Sequence, residues 1–140
     1  MRRRALLAAL ALACATPAAA QHVFLGPADA HALMQREPVT VLAAGQAPEQ
    51  FARGHLAGAR RVALGDIAVS RDGVPNELPP VERLEQVLER AGVDDARPVL
   101  VYGDPLAAAR LWLTLDVLGH PRAYLLDGGL AGWEAAGLPL

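Results

Sequence analysis

Pro98-Val99-Leu100-Val101-Tyr102 is an unbroken apolar run, and Asp104-Pro105 follows it almost at once with a long apolar stretch toward Leu118 that Gly119 closes. A strand with one face in water alternates polar and apolar residues, whereas a run without a polar break reads as a strand covered on both faces. Asp and Pro open helices and Gly ends them, so strand, cap and helix succeed one another without a linker. The same pattern recurs along the chain. Val39 to Ala43, Ala59 to Leu64 and Ala123 to Leu126 read as further strands. Between them, Gly26-Pro27 followed by Ala28 to Arg36 predicts a helix stopped by Pro38, and Pro48 to Phe51 a helical turn ended by Gly54. Pro80 to Arg90 places Val81, Leu84, Val87 and Leu88 on one helical face, with Ala91-Gly92 as its stop. Asp127-Gly128-Gly129 is a turn before a last short helix, Leu130 to Ala136. Gly65 to Pro79 is polar and broken by Pro75 and Pro79, which predicts a long surface loop with Arg71-Asp72-Gly73 as a turn. Strands alternating with helices in this way predict an α/β fold, a mainly parallel sheet with helices on both faces.

The 140 residues hold one such domain, and with 53% hydrophobic but only 4% aromatic residues its core must be mostly aliphatic. Arg2-Arg3-Arg4, the apolar run Ala5 to Ala13, the break at Thr16-Pro17 and Ala18-Ala19-Ala20 together read as an export signal cleaved after Ala20. The expected organisation is a signal peptide at residues 1–20 and one domain at 21–140, delivered to the periplasm. The apolar run is shorter than the roughly 20 residues that span a bilayer, so no membrane span is expected. All basic residues are Arg; without the signal they number ten against fifteen acidic residues, an acidic balance that argues against nucleic acid as a partner. Cys14 is the only cysteine and falls in the signal. An alternative makes it a lipid acceptor behind Leu12-Ala13, although Ala11 stands where a leucine is expected. Cleavage after Ala20 would leave no thiol for a disulfide, a nucleophile or a metal. His22, His31 and His120 show no metal-ligand spacing, and no phosphate loop or dinucleotide fingerprint is present, so no cofactor is expected.

In parallel sheets ligands bind beyond the carboxyl ends of the strands, where helix N-termini point, which directs attention to Gly103-Asp104-Pro105. Three ordered segments then carry a resemblance. Phe51-Ala52-Arg53-Gly54-His55-Leu56-Ala57-Gly58-Ala59 is similar to F-x-x-G-H-I-P-G-A, with Ala57 for Pro. Val101-Tyr102, Ala108 to Trp112 and Leu118-Gly119-His120 resemble an active-loop strand and helix, and Leu126 to Leu130 with Trp133 and Gly137-Leu138-Pro139 resembles L-D-G-G-x-x-x-W-x-x-x-G-x-P. These are motifs of the rhodanese family. The polar loop and Leu78-Pro79 resemble the longer form found in thiosulfate and mercaptopyruvate sulfurtransferases. Ala44-Gly45-Gln46 departs from the Asp-x-Arg that often precedes the first motif.

The resemblance implies transfer of a sulfane sulfur from thiosulfate or a mercapto acid, through a cysteine persulfide, to an acceptor such as cyanide. It places Gly103 at the position of that cysteine, with Asp104, Pro105 and Arg110 as the other active-loop equivalents. Glycine is no nucleophile, Asp104 suits an N-cap and Pro105 removes an N–H donor, so a plain helix start is the competing reading. His55 and Asp127 are further candidates to line a site. A histidine in a Gly-flanked turn serves acid–base chemistry or holds the turn; Arg110 clamps an anion or pairs with a carboxylate such as Asp127; Asp127 itself reads first as a turn residue. Trp112 and Trp133 are expected in the core. The expected function is therefore that of a non-catalytic rhodanese-type module, used for binding or as a structural partner. One alternative is the amino-terminal half of a tandem sulfurtransferase, partnered by a second rhodanese domain or another sulfur-metabolism protein; another is a cysteine-independent hydrolase using His55 or Asp104.

Overall fold

The computed structural model describes residues 22–140. The leader read at residues 1–20, its cleavage site and Cys14 lie outside the described residues. In chain order the elements are β1 (Phe24–Leu25), α1 (Pro27–Arg36), β2 (Thr40–Ala44), α2 (Pro48–Arg53), β3 (Arg60–Val62), α3 (Leu64–Ile67), β4 (Val69–Arg71), β5 (Val74–Glu77), α4 (Val81–Arg90), β6 (Val99–Gly103), α5 (Pro105–Val117), β7 (Ala123–Leu126) and α6 (Gly129–Ala135). Five strands form one sheet in the order β1-β7-β6-β2-β3, every pair parallel. Parallel neighbours need crossover connections, and the helices supply them.

The unbroken apolar runs are explained by the two cores. Successive strand residues point to opposite faces. Leu42 and Ala44 of β2 and Val99 and Val101 of β6 enter a core closed by α4 and α5 through Leu84, Leu88, Leu111 and Leu115. Val41, Ala43, Leu100 and Tyr102 enter the other, closed by Ala30 of α1 and Trp133 of α6. Apart from Thr40 at the start of β2, whose hydroxyl donates to the Gly92 carbonyl, both middle strands are therefore apolar at every buried position. Gly92 (φ 81°) and Gly119 (φ 80°) turn the chain at the ends of α4 and α5 through the left-handed region.

Three expectations change. The strand read at Ala59 to Leu64 covers only Arg60–Val62, because Leu64 already begins α3. The stretch read as an irregular loop contains α3 and an antiparallel hairpin of β4 and β5. Asp72 (φ 50°) and Gly73 (φ 79°) sit in its turn, the conformation for which Asp-Gly is suited. Ile67, inside that supposed loop, is fully buried in the α4–α5 core. β1, two residues long, was not foreseen and pairs with the outer side of β7. No helix among the described residues is long and apolar enough to cross a membrane.

Candidate functional site

β2, β6 and β7 all end at the same edge of the sheet, and the turns that follow them enclose a cleft of about 890 Å³. The turn after β6 is its centre. Gly103 pairs with Ala44 of β2 in register, and the Asp104 N–H donates to the Ala44 carbonyl at 2.9 Å. Gly103 has φ 125°, and a Cβ built there would lie 2.2 Å from the Ala44 carbonyl oxygen and 2.8 Å from the Ala44 nitrogen. Both are backbone atoms in the middle of the sheet, so they cannot swing aside as a side chain does. The neighbouring Gly45 (φ 68°) is similarly constrained: its Cβ would meet the Ala107 Cβ at 2.5 Å. The end of β2 thus packs its backbone against that of Gly103 and against the Asp104 and Ala107 side chains at the start of α5.

Asp104 is the N-cap of α5, its Oδ1 accepting from the Ala107 N–H at 3.0 Å. Pro105 occupies the first helical position and brings no N–H. Of the donors a helix start offers an anion, one is therefore missing and another is spent on a carboxylate of the chain itself. The remaining charged side chains around the cleft are Asp127 and Glu134, and the Tyr102 phenol also lines it; among the described residues no Arg or His does, and the chain has no Lys. The Asp127 N–H donates to the Leu25 carbonyl at 2.8 Å, and Gly128 (φ 75°) and Gly129 (φ 57°) complete its turn into α6. Gln46, one residue beyond Gly45, is 5% exposed; its carbonyl accepts from Arg61 Nε, while its buried side-chain Oε1 has no hydrogen-bond donor. Among the described residues no group of three or more acidic, His or Cys side chains converges to hold a metal ion.

The structure thus brings Gly103, Asp104, Pro105 and Asp127 to one cleft and leaves out His55 and Arg110. Arg110 points to the flank of α5, where its guanidinium donates to the carbonyls of Ile67 and Asn76. It clamps no anion in the cleft and forms no ion pair with Asp127, because α3 and the hairpin offer it carbonyl partners on that flank. His55 Nδ1 lies 2.8 Å from the Phe51 carbonyl, with its ring stacked on that of Phe51 at 4.0 Å, so it braces the corner after α2. The next residue, Leu56, is fully buried and its N–H donates to the Tyr102 hydroxyl at 3.2 Å. Burial pushes the Tyr102 phenol above its usual pKa, against the opposing effect of that hydrogen bond. Trp133 is buried with its Nε1–H on the Pro139 carbonyl at 2.9 Å. Trp112, half-buried, donates to the Ala123 carbonyl. Gln46 was noted in the sequence only as a departure from a motif; its place just past a strand end was the signal that it belongs to the site.

A parallel sheet of this order, with its cleft between the turns after β2, β6 and β7, defines an α/β domain of the rhodanese fold, and the comparisons agree. Residues 26–136 match the family described as the rhodanese-like domain, and the chain belongs to that family. It is 33% identical over 117 residues to a thiosulfate sulfurtransferase of Azotobacter vinelandii, covering 81% of this chain and 42% of that protein. The solved structure of YnjE superposes with a TM-score of 0.73 at 28% identity over 84% of this chain and 30% of that one. A 3-mercaptopyruvate sulfurtransferase from Leishmania major shares the fold with a TM-score of 0.74 at 24% identity, over 84% of this chain and 35% of its own. The chain therefore spans less than half the length of these relatives.

Proposed function

We propose that this chain is an exported, non-catalytic rhodanese-like domain that binds a ligand or partner rather than transferring sulfur. The observation that carries this reading is Gly103. At the position that matches the family's cysteine, the backbone adopts φ 125° with the Ala44 carbonyl 2.2 Å from where a Cβ would stand. A thiol there requires the β2–β6 pairing to open. The first turn of α5 is also poorly suited to stabilise a thiolate or an anionic sulfur donor, since Asp104 and Pro105 have taken or removed its donors. The purified domain beginning at Gln21 is expected to give no thiocyanate from thiosulfate and cyanide, and Gly103→Cys is expected to restore none. Turnover that copurifies with the native domain overturns the proposal. Export rests on the pattern of residues 1–20, and the mass of the protein recovered from the periplasm tests it, with Gln21 as the expected first residue.

A second reading, that the domain works as one half of a two-domain sulfurtransferase, has its own support. Leu106, Leu113 and Val117 fall at helical spacing on the outer side of α5 and are 73%, 43% and 57% exposed. Such a stripe suits a partner domain, and the relatives are more than twice as long as the segment they share with this chain. If a cysteine-bearing rhodanese domain from the same genome gains turnover when mixed with this chain, and loses the gain with Leu106→Glu, the second reading holds. No observation favours a cysteine-independent hydrolase: His55 lies outside the cleft and Asp104 caps a helix.

A further inference from the structure

α4 and α5 close the same core, yet they turn different outer faces to water. α4 covers its own with Glu82, Arg83, Glu85 and Glu89, as a surface helix does. α5 instead exposes Leu106, Ala109, Leu113 and Val117, a stripe about 16 Å long that includes one exposed charge, Asp116, and is bordered by the half-buried Arg110. Leu106, Ala109 and Leu113 also join Leu64 and Ala68 of the α3 segment around a groove of about 290 Å³. A single exposed leucine is ordinary on a surface, whereas a continuous stripe with a groove beside it marks a contact face. Among the described residues neither Arg110 nor Asp116 has an ion-pair partner: the carboxylates of Glu77, Asp94 and Glu37 go to other arginines, and Arg110 donates only to the carbonyls of Ile67 and Asn76.

The two charges decide what covers the stripe. Arg110 and Asp116 lie three residues to either side of Leu113, and Ala109 and Val117 four to either side. Those are the spacings that share one helix face. When two identical helices cross antiparallel at Leu113, each position meets the one equally far on the other side, and two-fold symmetry makes every such contact twice. Arg110 then meets Asp116 of the second copy, Ala109 meets Val117, and Leu113 meets itself. Leu106 reaches the turn at Gly119, where a Cβ would have nothing within 4 Å. A parallel crossing sets Arg110 against Arg110 and Asp116 against Asp116, so the face is complementary to itself in one orientation only. We infer that the outer face of α5 is the interface of a two-fold dimer of this chain, with its axis at Leu113. The inference supplies the partner for the partner-binding part of the proposed function and rests on that part. The cysteine-bearing domain of the second reading is its rival for the same face. Three turns of one helix make a small interface, so the association is reversible.

Sedimentation equilibrium of the domain beginning at Gln21 is expected to show the mass rising from one chain to two as concentration increases. Leu113→Glu sets two carboxylates together at the axis and is expected to weaken association at least about thirtyfold. Asp116→Arg, at an exposed position outside the core, is expected to weaken it about tenfold by facing guanidinium with guanidinium on both sides of the axis. Both variants should keep the native circular dichroism spectrum. Val81→Ser, equally exposed but on α4, is expected to leave the mass curve unchanged. A single-chain mass at every concentration overturns the inference, and so does unchanged association in Asp116→Arg. An equal loss with Val81→Ser makes the association non-specific and overturns it as well. A mixed dimer with a cysteine-bearing rhodanese domain from the same genome, formed while this chain alone stays monomeric, overturns it in favour of the second reading. Thiocyanate production by the same sample is read separately: turnover by a self-associating sample overturns the non-catalytic reading and leaves this inference standing, and a monomer without turnover does the reverse.

Discussion

The corner after α2 and the turn after β6 both correspond to motifs of the family, yet the chain has treated them differently. At the corner, polar groups of the motif are used by the fold itself: His55 on the Phe51 carbonyl and Leu56 N–H on Tyr102, with the His55 and Phe51 rings stacked. The C-terminal motif is alike, with Trp133 buried and hydrogen-bonded to Pro139. At the β6–α5 turn the fold is equally regular, and under the proposed reading Gly103 stands where the family's cysteine would be, while the helix start is satisfied by its own Asp104. The contrast teaches that most of the signature residues hold the sheet and its corners together. They persist where the fold needs them, whatever the cleft does.

The largest expected effect comes from breaking the retained side of this comparison. Trp133→Ala removes a side chain only 1% exposed together with its bond to Pro139, and should cost about 4 kcal/mol by urea denaturation. Next is the emptied side. Gly103→Ala must place a Cβ against the Ala44 carbonyl at a φ that side chains rarely adopt, and should cost about 3 kcal/mol. A neutral result there would show that the β6 end relaxes freely and that a cysteine could be accommodated, which would weaken the non-catalytic reading directly.

Much of this division was open to view in the sequence. β6, β7 and the helices are marked by unbroken apolar runs and by Asp, Pro and Gly at their ends, and all these signals are local. β1 was missed because two residues carry no periodicity, and its place is set by pairing with β7. The hairpin was missed because Pro75 reads as a breaker, although β4 and β5 sit apart from the main sheet, where proline is tolerated. That single miss propagated to the site. Arg110 was read toward the cleft or toward Asp127 because the carbonyls of Ile67 and Asn76 that hold it belong to the segment read as loop. The resemblance alone assigns Gly103 to the family's cysteine position, and the close approach of Ala44 to it depends on strand register. The burial of Gln46 is likewise a fact of three dimensions.

Smaller effects sharpen the comparison. Tyr102→Phe leaves the Leu56 N–H without its acceptor inside the core and should cost about 1.5 kcal/mol, read from the shift in the denaturation midpoint. Asp104→Ala removes only a helix cap and should cost about 1 kcal/mol, with Asp104→Asn recovering most of it. If Asp104→Ala instead stabilised the domain, the carboxylate would be held there against the interest of the fold, and its place would belong to the cleft's ligand.

The smallest expected effect is electrostatic and lies at the opposite end of the sheet from the cleft. Glu37, just past α1, receives both guanidinium nitrogens of Arg122, just before β7, at 2.6 and 3.0 Å. Arg122, chiefly by hydrogen bonding, holds the Glu37 carboxyl below its usual pKa against some desolvation, and in turn is held more firmly protonated itself. Since the folded-state pKa is the lower one, folding gains from this group above the ordinary glutamate pKa, and the gain is lost as pH falls through the depressed value. Asp94, held low chiefly by its hydrogen bond with Arg97, contributes with the same sign. Glu37→Gln should therefore be less stable than the native domain at neutral pH, with the two denaturation midpoints converging in acid, and the gap should be small because the pair is partly exposed. The Asp94 part of the acid loss should survive in that variant. A gap that persists unchanged at low pH would mean that Glu37 acts through packing of its stem between α1 and β7, and that this end of the scaffold is held by shape rather than by charge.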